Sequence, residues 1–307
     1  MNRREVNGAL LVNKPAGITS AEVVRRLKRE FQLSKVGHSG TLDPMATGLL
    51  IILLGKATRL QSELLTLKKS YSGLIKLGYA TSTDDVTGDL VSEGDSSLLP
   101  DQSKFDCLKP ELLEVFSGKI QQVPPKVSAV KVKGKPAYKR ERNGEDFELR
   151  EKSVEIYQLD LSWENQNQIA YEISCSSGFY VRSLARDLGE KVGCLGCLET
   201  IQRDSIGEFR LTDATELEQM LELGVEEVLV PMEGLIGYLE QVELDYESCQ
   251  LLTRGDQSSL KTVSLPEGVN SAAVMTPGGE LTAIIERKEI PGSSWKVRAV
   301  FAQQTSL

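Results

Sequence analysis

The chain has 307 residues, of which 40% are hydrophobic, and this length and composition predict a well-buried core divided between two domains. The longest apolar stretch, residues 48–55, is far shorter than the roughly 20 residues that a membrane-spanning helix needs, and residues 1–8 lack the apolar segment of a secretory signal. Five cysteines, an odd number, favour a reducing cytoplasm over a disulfide framework, so we expect a cytoplasmic protein that does not enter a membrane.

The net charge of -8 is unevenly distributed along the chain. Residues 1–76 carry 13 Lys and Arg against 5 Asp and Glu, and residues 119–152 carry 10 against 5, whereas residues 208–307 carry 7 against 17. Cationic segments of this kind suit contacts with phosphates, although ordinary solvated helix faces would give the same counts. Charge alone therefore leaves RNA binding open.

The chain begins with a predicted strand and a predicted amphipathic helix. Residues 8–13 form an apolar run that stops at Lys14-Pro15. Thr19 and Glu22 then have the spacing of a capping box, and the residues after them alternate an apolar face with a cationic face. We expect the apolar face to be buried and the cationic face to meet solvent.

A stretch rich in Gly, Ser, Thr and Pro follows at residues 35–48 and predicts a loop. An apolar run at 49–54 and a second predicted helix near 58–67 come next. Loops held between ordered elements in this way are favoured places for chemistry.

The remaining chain predicts further strands, a basic lobe and a small C-terminal β domain. No strand–helix repeat indicates a doubly wound sheet. The predicted elements are strands at 70–79, 153–162 and 168–176, a long loop or lobe at 118–152, helices at 179–192 and within 213–229, a linker near 231–237, and short strands within 240–301.

Two residues in the 35–48 loop are candidates for chemistry. His38 is the only histidine, which excludes histidine-based metal sites and Ser-His-Asp triads elsewhere in the chain. Asp43 lies in a Gly-Thr-Leu-Asp-Pro turn, where it could form an Asx-type turn or be presented as a nucleophile. A nucleophilic carboxylate needs a nearby cation that keeps it ionised and oriented.

Six segments, in one order along residues 8–210, carry a specific combined pattern. They are Gly8–Ser20 (GALLVNKPAGITS), Val36–Gly55 (VGHSGTLDPMATGLLIILLG), Lys69–Leu77 (KSYSGLIKL), Thr81–Gly88 (TSTDDVTG), Val123–Lys133 (VPPKVSAVKVK) and Cys175–Gly189 (CSSGFYVRSLARDLG). Together they closely resemble the TruB-type tRNA pseudouridine-55 synthases.

The resemblance implies an α+β pseudouridine-synthase fold, which is a mixed, largely antiparallel sheet with flanking helices, plus a small C-terminal PUA-like β domain. It places the catalytic domain at residues 1–232, with the basic RNA-binding lobe at about 118–152, and the PUA-like domain at 238–307. It also implies a monomer that binds the T arm of tRNA.

The implied reaction isomerises uridine 55 of the T loop, which is first flipped into a pocket at a cost of lost stacking. Asp43 attacks either the pyrimidine ring or the anomeric carbon of the ribose, the base is released and turned, and its carbon 5 rejoins the sugar. The resemblance implies that neither a cofactor nor a metal takes part.

The resemblance also assigns site residues. Arg182, from the Tyr-Val-Arg motif, is the expected partner of Asp43, and its guanidinium can fork onto the carboxylate and keep it ionised. Tyr71 matches the tyrosine that stacks on the target base and is a candidate for proton transfer. The other matches are Tyr180 and Ile201 in the pocket, His38 at the loop nucleotides, and Asp85 and Lys14 for RNA contact or pocket support.

Two departures from the family pattern concern RNA affinity rather than chemistry. Val127 stands where an aromatic residue is usual, and Gln202-Arg203-Asp204 stands where the family more often has two arginines and no acid.

Two other classes of protein stay open at this point. A catalytically silent RNA-binding module would be indicated by the loss of Asp43, Tyr71 or Arg182, all of which are present. A small-molecule enzyme with an aspartyl nucleophile would turn over the free nucleoside.

Overall fold

A computed structural model describes residues 3–288 and 295–301. The strands of the described part are β1 (Gly8–Lys14), β2 (Val36–His38), β3 (Thr47–Leu54), β4 (Lys69–Leu77), β5 (Tyr79–Thr81), β6 (Leu90–Glu93), β7 (Gly118–Gln122), β8 (Lys131–Val132), β9 (Lys135–Pro136), β10 (Lys152–Asn165), β11 (Gln168–Cys175), β12 (Gly196–Ile206), β13 (Phe209–Arg210), β14 (Thr215–Glu216), β15 (Glu240–Glu243), β16 (Ser271–Met275), β17 (Leu281–Arg287) and β18 (Trp295–Val300). The helices are α1 (Ser20–Glu30), α2 (Gln61–Thr66), α3 (Gln102–Val115), α4 (Ala137–Arg142), α5 (Val181–Val192), α6 (Leu217–Leu223) and α7 (Tyr246–Thr253).

The main sheet has the strand order β14-β1-β3-β12-β4-β11-β10-β7, with β2 beside β3 and β13 beside β12. Its pairs are antiparallel except for β1–β14 and β3–β12, which are parallel. The predicted α+β class, with a mixed and largely antiparallel sheet, is therefore confirmed.

Helices cover one face of this sheet. Helix α1 begins where the capping box predicts, because the Thr19 hydroxyl accepts a hydrogen bond from the Glu22 amide at 3.0 Å. Its apolar face buries Val23 and Leu27 in the same hydrophobic cluster that Leu184 of α5 joins. Burial of these side chains fixes α1 and α5 against the strands that carry the candidate site.

The C-terminal part forms a second, four-stranded sheet with the order β15-β16-β17-β18. One hydrophobic cluster joins Leu49 and Ile51 of β3 to Met275 and Ile284 of the smaller sheet. The predicted small C-terminal strand domain is thus present and packs on the second face of the main sheet. Its PUA-like class and the boundaries at 232 and 238 stay predictions.

Several local predictions need correction. The stretch 35–48, predicted as a loop, contains β2 and the start of β3, because Val36–His38 hydrogen-bonds along β3. The second helix begins at Gln61, after a 3-10 turn at Gly55–Leu60, rather than near residue 58. The basic stretch 118–152 is not a simple loop, since it contains β7, a β8–β9 hairpin and α4.

Several elements have no counterpart among the sequence predictions, among them α3, α7, β6 and β12. The sequence of β12 hides its strand character because polar and charged residues interrupt its apolar pattern. Register shifts at Leu198/Thr200 and Arg203/Ser205 further disturb the alternation of its side chains. In the described residues, no helix has the length and apolarity needed to cross a bilayer.

Candidate active site

A cavity of about 620 Å³ opens beside the loop that joins β2 to β3. Its floor comes from β4 and β12, and its walls come from the start of α5 and from the basic lobe. The lining residues are Gly40, Thr41, Leu42, Asp43, Ala46, Leu65, Lys69, Tyr71, Val127, Ser128, Ala129, Tyr138, Gly178, Phe179, Tyr180, Val181, Arg182, Ile201 and Arg203.

Asp43 is the acidic residue among the described residues that line this cavity. Its turn is fixed from below, because Ser20 Oγ accepts from the Leu42 amide at 2.9 Å and the Gly17 amide donates to the Pro44 carbonyl at 2.8 Å. The carboxyl side chain keeps 40% of its surface exposed. Burial raises the pKa of Asp43 above its ordinary value, and the positive charge of Arg182 opposes this rise.

Arg182 is the cation next to Asp43, as predicted, and its Nε lies 3.0 Å from Asp43 Oδ2. The expected two-pronged fork onto Asp43 is not what the guanidinium forms. Its Nη1 donates to the Thr83 carbonyl and its Nη2 donates to the Val127 carbonyl, each at 3.0 Å. The three nitrogens of Arg182 therefore point in three directions, and only one of them faces the carboxylate.

Asp85 lies behind Arg182 rather than in the cavity. Its Oδ2 is 3.6 Å from Arg182 Nη1, and its side chain is only 5% exposed. Oδ1 accepts hydrogen bonds from the hydroxyl of Thr83 at 2.8 Å and from the amide of Thr87 at 2.9 Å. This geometry makes Asp85 a support of the Arg182 guanidinium, and pocket support was one of its two predicted roles.

Lys14 also supports the site from below. It is fully buried, and its Nζ donates to the carbonyls of Pro15 and Ile18 at 2.8 Å and of Pro44 at 3.3 Å. Burial lowers its pKa to about 8, while the charge of Asp43 acts in the opposite direction, so the amine is mostly protonated at pH 7. Direct RNA contact, the other predicted role, does not fit a residue without exposed surface.

Replacement of Lys14 by Met is expected to lower the free energy of unfolding by about 2–4 kcal/mol, because three carbonyls lose their donor. Chemical denaturation of the two proteins at pH 7 measures this difference. Lys68→Met is the matched control, since Lys68 is an exposed lysine and its loss should change stability by less than about 0.5 kcal/mol. Equal stability of both variants would contradict the supporting role.

Tyr71 and Ile201 come from adjacent strands and both line the cavity. In the β4–β12 ladder, Tyr71 lies opposite Arg203 and Ile201 lies opposite Gly73. Burial raises the pKa of Tyr71, and the Arg203 guanidinium opposes this shift. The predicted aromatic and apolar members of the pocket are thus brought to one surface with Asp43.

Arg203 is a site residue whose importance the sequence did not reveal. It is 1% exposed, and its Nε and Nη2 donate to the carbonyls of Leu49 at 2.7 Å and Gly40 at 3.2 Å. Gly48 permits this approach of β3 to β12, because at φ +99° a Cβ would lie 2.4 Å from the Arg203 carbonyl oxygen. The family pattern, which more often has two arginines at residues 202–204, was the signal that could have marked it.

Tyr180 and His38 differ in their position relative to the cavity. Tyr180 lines the cavity, and burial raises the pKa of its phenol. His38 is outside the lining and stands at the end of β2, where its Nδ1 accepts a hydrogen bond from the Gly40 amide at 3.3 Å. Burial, followed by the charge of Arg203, lowers the pKa of His38 from its ordinary value.

The two departures from the family pattern have clear local structures. The unusual residue Val127 lines the cavity and uses its carbonyl, which any residue supplies, to hold Arg182. Gln202 donates to the Asp204 carboxylate at 2.9 Å, so this acid is bonded within its own strand.

The family model for the TruB family pseudouridylate synthase (N terminal domain) matches residues 28–181, which is half of the chain. A "tRNA pseudouridine synthase B" of Prochlorococcus marinus is 45% identical over 215 residues, covering 69% of this chain and 67% of the relative. The chain belongs to the TruB family of pseudouridine synthases. It is a tRNA pseudouridine synthase, an isomerase.

Other relatives extend the similarity of this tRNA pseudouridine synthase over nearly its whole length. A "tRNA pseudouridine synthase B" of Ruegeria sp. is 36% identical over 298 residues, covering 95% of this chain and 93% of the relative. A Francisella tularensis protein of the same name is 38% identical over 238 residues, covering 76% of each chain. The similarity therefore includes the segments that carry Asp43, Tyr71 and Arg182.

Solved structures confirm the pseudouridine-synthase fold. A chain from the structure of an H/ACA RNP bound to a substrate RNA containing 2'-deoxyuridine has a TM-score of 0.70 at 22% identity, covering 97% of the synthase and 86% of that chain. A chain of a Cbf5-Nop10-Gar1 complex has a TM-score of 0.69 at 23% identity, covering 96% and 85%. At these identities the likeness concerns the fold alone.

Proposed function

We propose that this synthase isomerises uridine 55 in the T loop of tRNA and that Asp43 is the nucleophile. The observation that carries the proposal is the Asp43 carboxylate, which faces the cavity, keeps 40% of its side-chain surface exposed and is held by Arg182 Nε at 3.0 Å. A carboxylate that is oriented by a cation and remains accessible can attack a bound nucleoside.

The reaction replaces the bond between the anomeric carbon and N1 of the base by a bond between the anomeric carbon and carbon 5. Asp43 forms a bond either to the pyrimidine ring or to the anomeric carbon of the ribose, and the bond from that carbon to N1 of the base breaks. The base turns within the cavity, and carbon 5 bonds to the anomeric carbon. Carbon 5 then loses its proton and N1 gains one, a proton transfer for which Tyr71 is the candidate, and the bond to Asp43 breaks, which returns the carboxylate unchanged.

The charge of the cavity supports this chemistry. Among the described lining residues, Lys69, Arg182 and Arg203 are cationic, and Asp43 alone is acidic. Burial lowers the pKa of Lys69 to about 8, and its Nζ is held by the carbonyls of Leu65 and Leu67. A fixed positive surround stabilises negative charge that develops on the uracil when it leaves the sugar.

The basic lobe is the proposed contact with the T arm. Helix α4 carries Tyr138, Lys139 and Arg142 on its exposed or half-exposed surface, directly beside the cavity. Lysines and arginines there can neutralise phosphates of an RNA whose target base enters the cavity.

We propose that the protein acts on tRNA as a monomer in the cytoplasm.

Release of tritium from tRNA transcript labelled at carbon 5 of uridine tests the proposed function, because the new carbon–carbon bond must expel that hydrogen. We expect about one equivalent per tRNA, and none from a transcript in which uridine 55 is replaced by cytidine. Release from the replaced transcript would overturn the assignment of position 55, and equal turnover of free uridine would favour a small-molecule enzyme.

Removal of two exposed lobe cations, Lys131→Ala with Lys139→Ala, should weaken tRNA binding and reduce its dependence on salt. The slope of log K against log salt is expected to fall by about 0.7–0.9 for each phosphate that the double variant no longer neutralises. Filter binding between about 50 and 200 mM salt measures the slope. The matched control is Lys104→Ala with Lys261→Ala, two exposed lysines outside the lobe, and an identical slope in both double variants would contradict the proposed binding of the lobe to RNA.

A further inference from the structure

Residues Gln122–Val127, here called the lobe root, connect β7 to the β8–β9 hairpin and α4 of the basic lobe and lie against the start of α5. Five hydrogen bonds join the two segments. They are Gln122 Nε2 to the Tyr180 carbonyl at 3.1 Å, the Tyr180 amide to Gln122 Oε1 at 2.8 Å, Ser183 Oγ to the Val123 carbonyl at 2.8 Å, Arg186 Nη2 to the same carbonyl at 3.0 Å, and Arg182 Nη2 to the Val127 carbonyl at 3.0 Å.

The Gln122 side chain hydrogen-bonds the backbone of Tyr180, the residue immediately before α5. It is 2% exposed, and its amide both donates to and accepts from the backbone of Tyr180. Tyr180 occupies the N-cap position of α5 with an extended backbone, and its own side chain forms no capping bond. The Gln122 amide therefore gives the Tyr180 N–H its acceptor and adds a second donor to the Tyr180 carbonyl, which also accepts from the Leu184 amide at 3.2 Å.

The start of α5 determines where the catalytic cation points. Arg182 is the second residue of the helix, and only its Nε faces Asp43. A shift of this turn by 1 Å would break the 3.0 Å contact, and displacements of that size can cost about a hundredfold in rate. Gln122 itself does not line the cavity.

We propose that Gln122 is a positioning residue for the reaction, acting through Tyr180 and Arg182. The proposal rests on the proposed function, in which Arg182 orients the Asp43 nucleophile. The lobe root would then have two roles. It leads to the β8–β9 hairpin and α4, and it holds the guanidinium of Arg182 in place. A disturbance of Gln122 then reaches the chemical step while the RNA-binding surface stays intact.

The test compares Gln122→Met, which removes both hydrogen bonds at nearly constant length, with Gln122→Glu, which keeps the acceptor and loses the donor. Gln158→Met is the matched control, because Gln158 is an exposed glutamine on β10, outside residues 118–152, and the substitution is the same. Single-turnover tritium release and tRNA affinity are measured for each folded variant. We expect the rate to fall by about tenfold to a hundredfold in Gln122→Met and less in Gln122→Glu.

The affinity of both Gln122 variants for tRNA should stay within twofold of wild type, while Gln158→Met should match wild type in rate and affinity. A rate unchanged in Gln122→Met, or a loss that is due entirely to weaker tRNA binding, would overturn the proposal.

A readout independent of turnover separates this proposal from the proposed function. The NMR signal of the Arg182 Nε–H, assigned by its disappearance in Arg182→Lys, should move in Gln122→Met and stay in place in Gln158→Met. If wild type released no tritium but the signal moved as expected, the proposed function would fail while the positioning contact would stand. An unmoved signal in Gln122→Met would overturn the positioning role itself.

Discussion

Asp43→Asn is expected to bind tRNA with near wild-type affinity and to release no measurable tritium from it. The amide keeps the size of the side chain but cannot form the covalent bond to the nucleoside, so the rate should fall by about 10⁴-fold or more. Single-turnover release and filter binding on the same preparation separate loss of chemistry from loss of substrate.

Asp85→Asn is the matched comparison for this variant, because both aspartates contact Arg182. The side chain of Asp85 is 5% exposed and hydrogen-bonded by threonines, whereas that of Asp43 is 40% exposed towards the cavity. We expect Asp85→Asn to lower thermal stability and to retain measurable release. Release by Asp43→Asn at the wild-type rate would refute the nucleophile, and complete loss in Asp85→Asn with retained fold would make the two carboxylates a joint catalytic pair.

The sequence predicted the pair at the centre of the site only through the resemblance. Asp43 and Arg182 lie in different elements, and no local spacing brings them together. The family pattern did so, and the structure places Arg182 Nε 3.0 Å from the carboxylate. The strand-forming segments and α1 were predictable for a different reason, since apolar periodicity and the Thr19 cap are local signals.

Contacts that use backbone atoms could not be predicted in the same way. The carbonyls of Thr83 and Val127 accept hydrogen bonds from Arg182. Because every residue has a backbone carbonyl, the residue type does not show which carbonyls will do so. This explains why a two-pronged pairing with Asp43 was expected and a three-way arrangement was found. The same reason applies to Gln122, whose partner is the backbone of Tyr180.

Buried charge was also hard to predict from the sequence. Arg203 and Lys14 are almost wholly buried, yet charged residues are usually exposed. Each is stabilised by backbone carbonyls that converge from separate segments, and this convergence exists only in the folded chain. Sequence reasoning could name Lys14 from the family pattern but could not choose between its two roles.

Arg182→Lys is expected to be nearly as inactive as Arg182→Ala, with both rates about 10²–10³-fold below wild type. Lysine has one nitrogen, whereas Arg182 donates from three nitrogens to Asp43 Oδ2 and to the carbonyls of Thr83 and Val127. Single-turnover tritium release measures the rates. The control is Arg186→Lys, one turn later on α5 and outside the cavity lining, which should lose stability but keep its rate within about tenfold.

The pH dependence of the same variants separates charge from geometry. Burial raises the pKa of Asp43 and Arg182 opposes the rise, so removal of the positive charge in Arg182→Ala must raise this pKa further. Because attack requires the ionised carboxylate, the acidic limb of the rate profile should move to higher pH in Arg182→Ala. It should move back towards the wild-type position in Arg182→Lys, which restores the charge while its rate stays low at every pH. An acidic limb that stayed in place in Arg182→Ala would show that Asp43 ionisation does not limit the reaction, and a wild-type rate in Arg182→Lys would show that charge alone suffices.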